Sequence, residues 1–393
     1  MGLSAAGVRV VERRWGLGGG RRPELGVGAV FRVGSIGCQV PSAPMETVPL
    51  PFEFGAGCLV TQALGDALGF IVEGYDPATC QAFVDKVLAA PNPANWTRGH
   101  FAFGQYSDDT QLARELGLSL VARGGWDPSD FAQRVGRLFG EDLIVGRGRA
   151  TQAAAYRILD GVPWDQAGEP SPSAGNGAAM RAAPIGLFFA DPAERLRVAD
   201  EQARVTHLDP RSRAAAILVA DVVALALHNN WQGGRKGLAW LASRVDAQDP
   251  LLARHLTVDM PGWLEADDPG AEIAAAGEAP AGSGHKFERW HGISPFATPS
   301  VLYALYAFLK TPLQPEEVLA RSVAVGGDVD TVAAMAGAMA GARSGLSGLG
   351  PRLTRWAGHL NDQGQFGSTH LAGLGAALAG SPGVARSPQG PRS

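Results

Sequence analysis

Apolar residues recur at helical spacing along most of the chain. Leu112, Leu116 and Leu120 stand four apart, as the buried stripe of one helix does. Val301, Leu305, Phe308 and Leu309 share one side of a segment from Ala297 to Leu309. The stretch from Gln202 to Asn229 predicts two helices parted at Asp209-Pro210. Pro128, following Asp127, suits the opening of another helix over Ser129–Leu138. No series of alternating polar and apolar residues predicts a sheet. Residues 260–284, rich in Gly, Pro and acid, predict a long loop or a poorly ordered insertion.

Two of the helical segments carry stripes of small residues. Gly57, Thr61, Gly65 and Gly69 are spaced by four, and so are Ala333, Gly337, Gly341 and Gly345. A glycine inside a helix costs about 1 kcal/mol relative to alanine. Two such rows need an offsetting gain, and the close approach of helix axes supplies one. The expected fold is a compact all-α domain with tightly packed central helices. No internal repeat is evident.

Composition narrows the functional classes. Thirty-four basic residues against 38 acidic ones leave a formal charge of −4, which argues against a general nucleic-acid binder. Three cysteines (Cys38, Cys58, Cys80) with no CxxC pair make no disulfide framework, so a cytoplasmic location is expected. Ala214 to Leu227 is interrupted by Asp221, and Ala333 to Ala342 is too short to cross a bilayer, so no membrane span is expected. Arg9, Glu12, Arg13 and Arg14 interrupt any signal-peptide core, and Ala6 stands where a myristoylation signal wants Ser or Thr. Residues 1–44 show little helical pattern and read as a disordered or non-native extension, with Met45 as an alternative start. The rival reading is a basic arm using Arg13, Arg14, Arg21 and Arg22. Residues 45–373 are the expected folded domain. Residues 374–393, rich in Gly, Ser, Pro and Ala, read as a disordered tail.

Oxygen ligands cluster at three places: Ser107-Asp108-Asp109-Thr110, Asp328-Val329-Asp330-Thr331 after Gly326-Gly327, and Asp66 followed by Glu73. Helix capping accounts for either acidic pair taken alone. Taken together, the pairs sit in nearly uncharged segments, where burial is costly unless a cation compensates. An all-oxygen set suits Mg²⁺ or Mn²⁺, and no His or Cys cluster supports zinc. Two such turns could hold two ions and a water between them. Between the acidic sites lie Ser173-Ala174-Gly175-Asn176-Gly177-Ala178-Ala179-Met180-Arg181 and Gly146-Arg147-Gly148-Arg149-Ala150-Thr151, either a pair of plain turns or loops whose N–H groups meet phosphate. His207, taken alone, reads as a packed or capping histidine.

In chain order, GDALGFIVEG, YSDDTQLAR, SAGNGAAMR, THLD and GGDVDTVAAMAGAMAGA resemble the ADP-ribosylglycohydrolase family, from about Phe54 to about Leu360. The resemblance implies an all-α orthogonal bundle with a binuclear Mg²⁺ or Mn²⁺ centre. It places Ser107, Asp108, Asp109, Asp328, Asp330 and Thr331 as metal ligands, with Asp330 bridging the ions. Glu73 falls where some members carry a glutamate that gates or contacts the metal site. Ser173, Gly175, Asn176, Gly177 and Met180 match the ADP-ribose pocket, Gly146 and Gly148 the diphosphate cradle, and His207 a position near the distal ribose or phosphates. The implied reaction is hydrolysis at C1″ of ADP-ribose, with Glu73 or a metal-site aspartate such as Asp109 removing a proton from water. The implied partners are an ADP-ribosylated protein or a small molecule derived from ADP-ribose, met by a monomer. Ser107 replaces a more usual threonine. Ala174 stands where the serine-directed branch has an aromatic residue that stacks on adenine. His291 to Lys310 is similar to that same branch, and Arg147 and Arg149 are unsuited to an arginine-linked substrate. Alternatives are action on free O-acetyl-ADP-ribose, a non-catalytic or crystallin-like relative, and an unrelated magnesium-dependent phosphohydrolase.

Overall fold

The computed structural model describes residues 51–90, 95–229, 234–276 and 290–381. The expected extension at 1–44 lies outside them. The elements in order are α1 (Pro51–Val72), α2 (Pro77–Ala89), α3 (Asp108–Arg123), α4 (Pro128–Gly140), α5 (Arg149–Leu159), α6 (Ala183–Phe188), α7 (Pro192–Arg204) and α8 (Pro210–Leu227). There follow α9 (Gly234–Val245), α10 (Pro250–Arg254), a π-helical turn, α11 (Met260–Glu265) and α12 (Gly270–Ala275). The last are α13 (Ala297–Lys310), α14 (Pro315–Ala324), α15 (Val329–Ser344), α16 (Gly350–Ala357) and α17 (Ser368–Ala379). The described residues form no β-strand, only isolated bridges. The fold is all-α, as expected.

One local signal starts five of these helices. At Asp76-Pro77, Asp127-Pro128, Asp191-Pro192, Asp209-Pro210 and Asp249-Pro250 the aspartate carboxylate accepts a backbone N–H of the first turn. Proline then occupies the first helical position, where its missing N–H is not needed.

The centre of the bundle is α1 packed antiparallel on α15, with α17 against the other side of α1 and α8, α13 and α14 around α15. The two small-residue stripes face each other. A Cβ on Gly57 would stand 2.7 Å from the Gly341 carbonyl oxygen, and Cβ atoms on Gly65, Gly337 and Gly341 would collide with the carbonyls of Ala333, Thr61 and Gly57. The glycine penalty is thus offset by backbone-on-backbone packing. Gly345 is the exception within its row. It lies just past α15 at φ 68°, a conformation that favours glycine, and its N–H caps the Gly341 carbonyl.

Two expectations need correction. The tail does not begin at residue 374: α17 runs to Ala379, with Leu374 and Leu378 buried because the helix covers α1 and α3. Only the expectation for 382–393 lies outside the described residues. Residues 260–276 form α11 and α12 rather than a loop, since Met260, Trp263 and Ile273 bury apolar surface; 277–289 are outside the described residues. Phe52–Val72 is long and apolar enough to cross a membrane (mean hydropathy 1.4), but 94% of its most apolar window is buried within the bundle. Its apolarity serves the core.

Gly65→Ala is expected to lower stability by about 1–3 kcal/mol through overpacking against α15. Gly373→Ala, in an exposed turn of α17 with nothing within 4 Å of the new methyl, is expected to raise it by up to about 1 kcal/mol. Urea unfolding of both variants against wild type checks the pair.

Candidate metal centre

Three helix ends meet at the centre. Glu73 follows the last residue of α1, Asp108 and Asp109 open α3, and Asp328 and Asp330 open α15. The turn before α15 is set by Gly326 and Gly327, at φ 75° and 88°. The Gly74 N–H donates to the Gly327 carbonyl at 2.8 Å, and the Gly327 N–H donates to the Tyr75 carbonyl at 2.9 Å. The Asp328 N–H donates to the Ile293 carbonyl at 2.8 Å. These bonds tie the end of α1 to the start of α15. Glu73, Asp328 and Asp330 each offer a carboxylate oxygen, and the three lie within 4.8 Å of one another.

The capping and metal readings divide between different residues. Asp66, fully buried on α1, caps α3 from outside. Its Oδ1 accepts from the Ser107 N–H and Oγ, both at 2.8 Å, and its Oδ2 accepts from the Thr110 N–H at 2.9 Å. That leaves Asp108 and Asp109 free to line the cleft. Ser107 does not line it; its hydroxyl is held by Asp66 and reaches Asp109 Oδ2 at 3.1 Å. At α15, Asp328 occupies the cap position but makes no capping bond. Its carboxylate accepts instead from the Asn176 side chain, which also donates to Ser300 Oγ at 2.9 Å.

Electrostatics fit an incoming cation. Burial raises the Asp66 pKa to about 6 and the Asp328 pKa to about 7, the latter with help from the Glu73 charge. Asp108, Asp109 and Asp330 are pushed well above the usual range, first by burial and then by neighbouring carboxylates. Asp109 Oδ1 is buried with no hydrogen-bond partner among the described residues. An orphaned carboxylate oxygen beside a trio of converging carboxylates is a donor set for a hard divalent ion. Glu73 Oε2 is also held by Arg98 at 2.6 Å, and the Arg98 guanidinium lies over the Phe70 ring.

The carboxylates open on a cleft of about 860 Å³, within the range of small-ligand sites. Gly146, Gly148, Ser173, Gly175, Asn176, Gly177, Met180, His207 and Thr331 all line it. In each of two of its loops one N–H is used within the protein. The Gly148 N–H serves Asp108, and a Cβ on Gly146 would stand 2.9 Å from Asp108 Oδ1. The Asn176 N–H serves the Pro295 carbonyl at 3.1 Å, and the helix after this loop, α6, is only six residues long. The Gly-Asn-Gly loop carries the Asn176 side chain to Asp328. Sequence reasoning missed Arg98 and Trp290, which carry no motif; Thr151, the last residue of the Gly146–Thr151 segment, also lines the cleft. A second cleft, of about 920 Å³ beside α2, α12 and α14, holds none of the metal-centre carboxylates.

Fold and site together define an all-helical protein whose acidic centre, a candidate cation site, faces a ligand-sized cleft. The chain belongs to the ADP-ribosylglycohydrolase family, whose profile matches residues 50–385. Human ADP-ribosylhydrolase ARH3 is 30% identical over 318 residues, covering 74% of this chain and 85% of the human protein. A protein of Archaeoglobus fulgidus is 31% identical over 289 residues, covering 73% of this chain and 86% of its own length. A solved structure described as an ADP-ribosylglycohydrolase-related protein complex superposes with a TM-score of 0.61 at 28% identity, covering 84% of this chain and 98% of that one.

The raised carboxyls set a pH dependence for the metal-free protein. Their folded pKa values exceed the unfolded ones, so the stability tied to their protonated forms is complete below the unfolded carboxylate range. It is lost as pH rises through about 6 for Asp66 and about 7 for Asp328. The thermal midpoint of chelator-treated protein should therefore fall between about pH 4 and about pH 8. The fall should be shallower in Asp328→Asn, and Mn²⁺ or Mg²⁺ at neutral pH should raise the wild-type midpoint. A midpoint indifferent to both ions contradicts the metal centre.

Proposed function

We propose that the chain is a divalent-metal-dependent hydrolase of the α-glycosidic bond at C1″ of ADP-ribose, releasing ADP-ribose from O-linked protein side chains. The observation that carries this reading is the meeting of Glu73, Asp328 and Asp330 within 4.8 Å beside a cleft of about 860 Å³, in a chain of this family. Asp108, Asp109, Asp328 and Asp330, with Glu73 and Thr331, would hold two Mg²⁺ or Mn²⁺ ions. Those ions, when bound, supply Lewis-acid polarisation of ribose hydroxyls and water.

The protein's own groups do the rest. Asn176 orients Asp328, and Asp66 fixes the start of α3 so that Asp108 and Asp109 face the cleft. Glu73 Oε1 and Asp109 Oδ1 have no hydrogen-bond partner among the described residues. Whichever of the two is left off the ions can take a proton from the attacking water. Ala174 offers no ring for adenine, but the Trp290 indole lines the cleft and supplies a stacking face.

The preference for O-linked over arginine-linked substrate rests on charge. Arg149, exposed and without a partner among the described residues, and Arg147, paired with Asp142, both line the cleft. Glu169, also in its wall, is paired with Arg157 at 2.7 Å. No free carboxylate outside the metal centre is left to receive a substrate guanidinium among the described cleft residues. Free O-acetyl-ADP-ribose, which shares the O-linked chemistry, is the second reading.

Asp328→Asn/Asp330→Asn is expected to lower ADP-ribose release by at least about 10²-fold with the helical circular dichroism retained. Chelator should do the same to wild type. A panel of serine-linked, arginine-linked and acetylated ADP-ribose, scored by released ADP-ribose, should show release from the O-linked members only. A double variant with full activity would refute the reading and favour a non-catalytic binder.

A further inference from the structure

Behind the Gly-Asn-Gly loop lies a guanidinium that forms no salt bridge among the described residues. Arg181 is fully buried. Its Nε donates to Gln202 Oε1 at 2.8 Å, its Nη1 to the Gly177 carbonyl at 3.0 Å, and its Nη2 to the Gln202 carbonyl at 3.0 Å and to Thr206 Oγ1 at 2.7 Å. All four acceptors are neutral. Burying a charge with no counter-ion is costly. Burial lowers the Arg181 pKa to about 9, which still leaves a cation at neutral pH.

Thr206 Oγ1 also lies 2.8 Å from His207 Nδ1. Bonding capacity assigns the roles. A guanidinium only donates, so the Thr206 oxygen accepts from Arg181. Among the described residues Nδ1 is the one acceptor within reach of the hydroxyl hydrogen; a protonated Nδ1 would leave that buried hydrogen unpaired, so Nδ1 takes it and carries no proton of its own. Burial and the Arg181 charge lower the His207 pKa to about 3, so the ring is neutral and its single proton sits on Nε2. Nε2 has no hydrogen-bond partner among the described residues. The ring forms part of the cleft wall and packs on the two glycines: a Cβ on Gly175 would stand 3.1 Å from Nε2, and one on Gly177 would stand 3.0 Å from Cε1. The backbone is clamped as well, since the Glu169 N–H donates to the Thr206 carbonyl at 2.9 Å and the Leu208 N–H to the Glu169 carbonyl at 2.8 Å.

We propose that Arg181 and Thr206 are positioning residues that hold His207 as an Nε2–H donor, directed at an acceptor oxygen of ADP-ribose in the cleft. The ligand in this statement rests on the functional reading above; the relay does not. The buried cation earns its place by orienting the Thr206 hydroxyl and by holding the Gly177 carbonyl, so that one side chain sets both the imidazole and the loop packed on it.

The test uses the full chain labelled with ¹⁵N-histidine and long-range ¹H–¹⁵N spectra, with His207→Asn to assign the signals. Wild type should show a protonated, pyrrole-type Nε2 and a bare, pyridine-type Nδ1, unchanged between about pH 5.5 and about pH 8. A protonated Nδ1 in wild type overturns the proposal whatever the Thr206 variants do. Thr206→Val should mix the tautomers and weaken ADP-ribose binding about tenfold by calorimetry, while Thr206→Ser should preserve both. A folded Thr206→Val protein with wild-type tautomer and affinity also overturns it. Wild type with the expected tautomer but no affinity for ADP-ribose refutes the functional reading and the ligand assigned to His207, and leaves the relay standing.

Discussion

Backbone against backbone, α1 on α15, is the contact on which the rest of the structure depends. With no side chains between them at Gly57, Gly65, Gly337 and Gly341, the two helices approach closely enough for carbonyls of one to fill the space a Cβ of the other would take. The pair is antiparallel, so the C-terminal end of α1 lies beside the N-terminal end of α15. Gly69 packs directly on the backbone of Asp330. The same contact that closes the core therefore brings Glu73 to Asp328 and Asp330. A larger residue in either row would part the axes and separate the carboxylates.

Concentrating carboxylates in that junction is unfavourable unless each has something to compensate it. The structure divides the task. Asp66 is compensated by two N–H groups and a hydroxyl as it caps α3. Asp328 has the Asn176 amide and Glu73 has Arg98. Asp109 Oδ1 has no partner among the described residues. The imbalance is greatest where the cleft begins, which is where a divalent cation would contribute most. Arg181 is the opposite case, a buried cation satisfied only by neutral acceptors on the other side of the Gly-Asn-Gly loop.

Much of the architecture was readable before any coordinates. The spacing of Leu112, Leu116 and Leu120, and the Asp-Pro pairs at 127–128 and 209–210, mark helices that the structure contains. The small-residue rows pointed to close helix packing, and the two rows turned out to meet each other. Less was readable where tertiary burial overrides local composition. Leu374 and Leu378 lie in a Gly/Ala-rich stretch that looks like a tail, yet they form a helix because α1 and α3 offer an apolar surface to cover. The segment around Met260 and Trp263 misled for the same reason.

Local chemistry in the sequence determined which residue types stand at helix starts, where the glycines permit contact, and which acidic groups were available to a metal. Those properties depend on neighbours within a few positions, and motif order added the family. Tertiary structure alone decided how the roles were divided: that Asp66 caps α3 while Asp109 faces the cleft, that Arg98 pairs with Glu73, and that Arg181 reaches His207 through Thr206. These contacts join residues whose positions in space are set by packing of the whole bundle, and hydrogen-bond roles follow only once donors and acceptors stand within about 3 Å of one another.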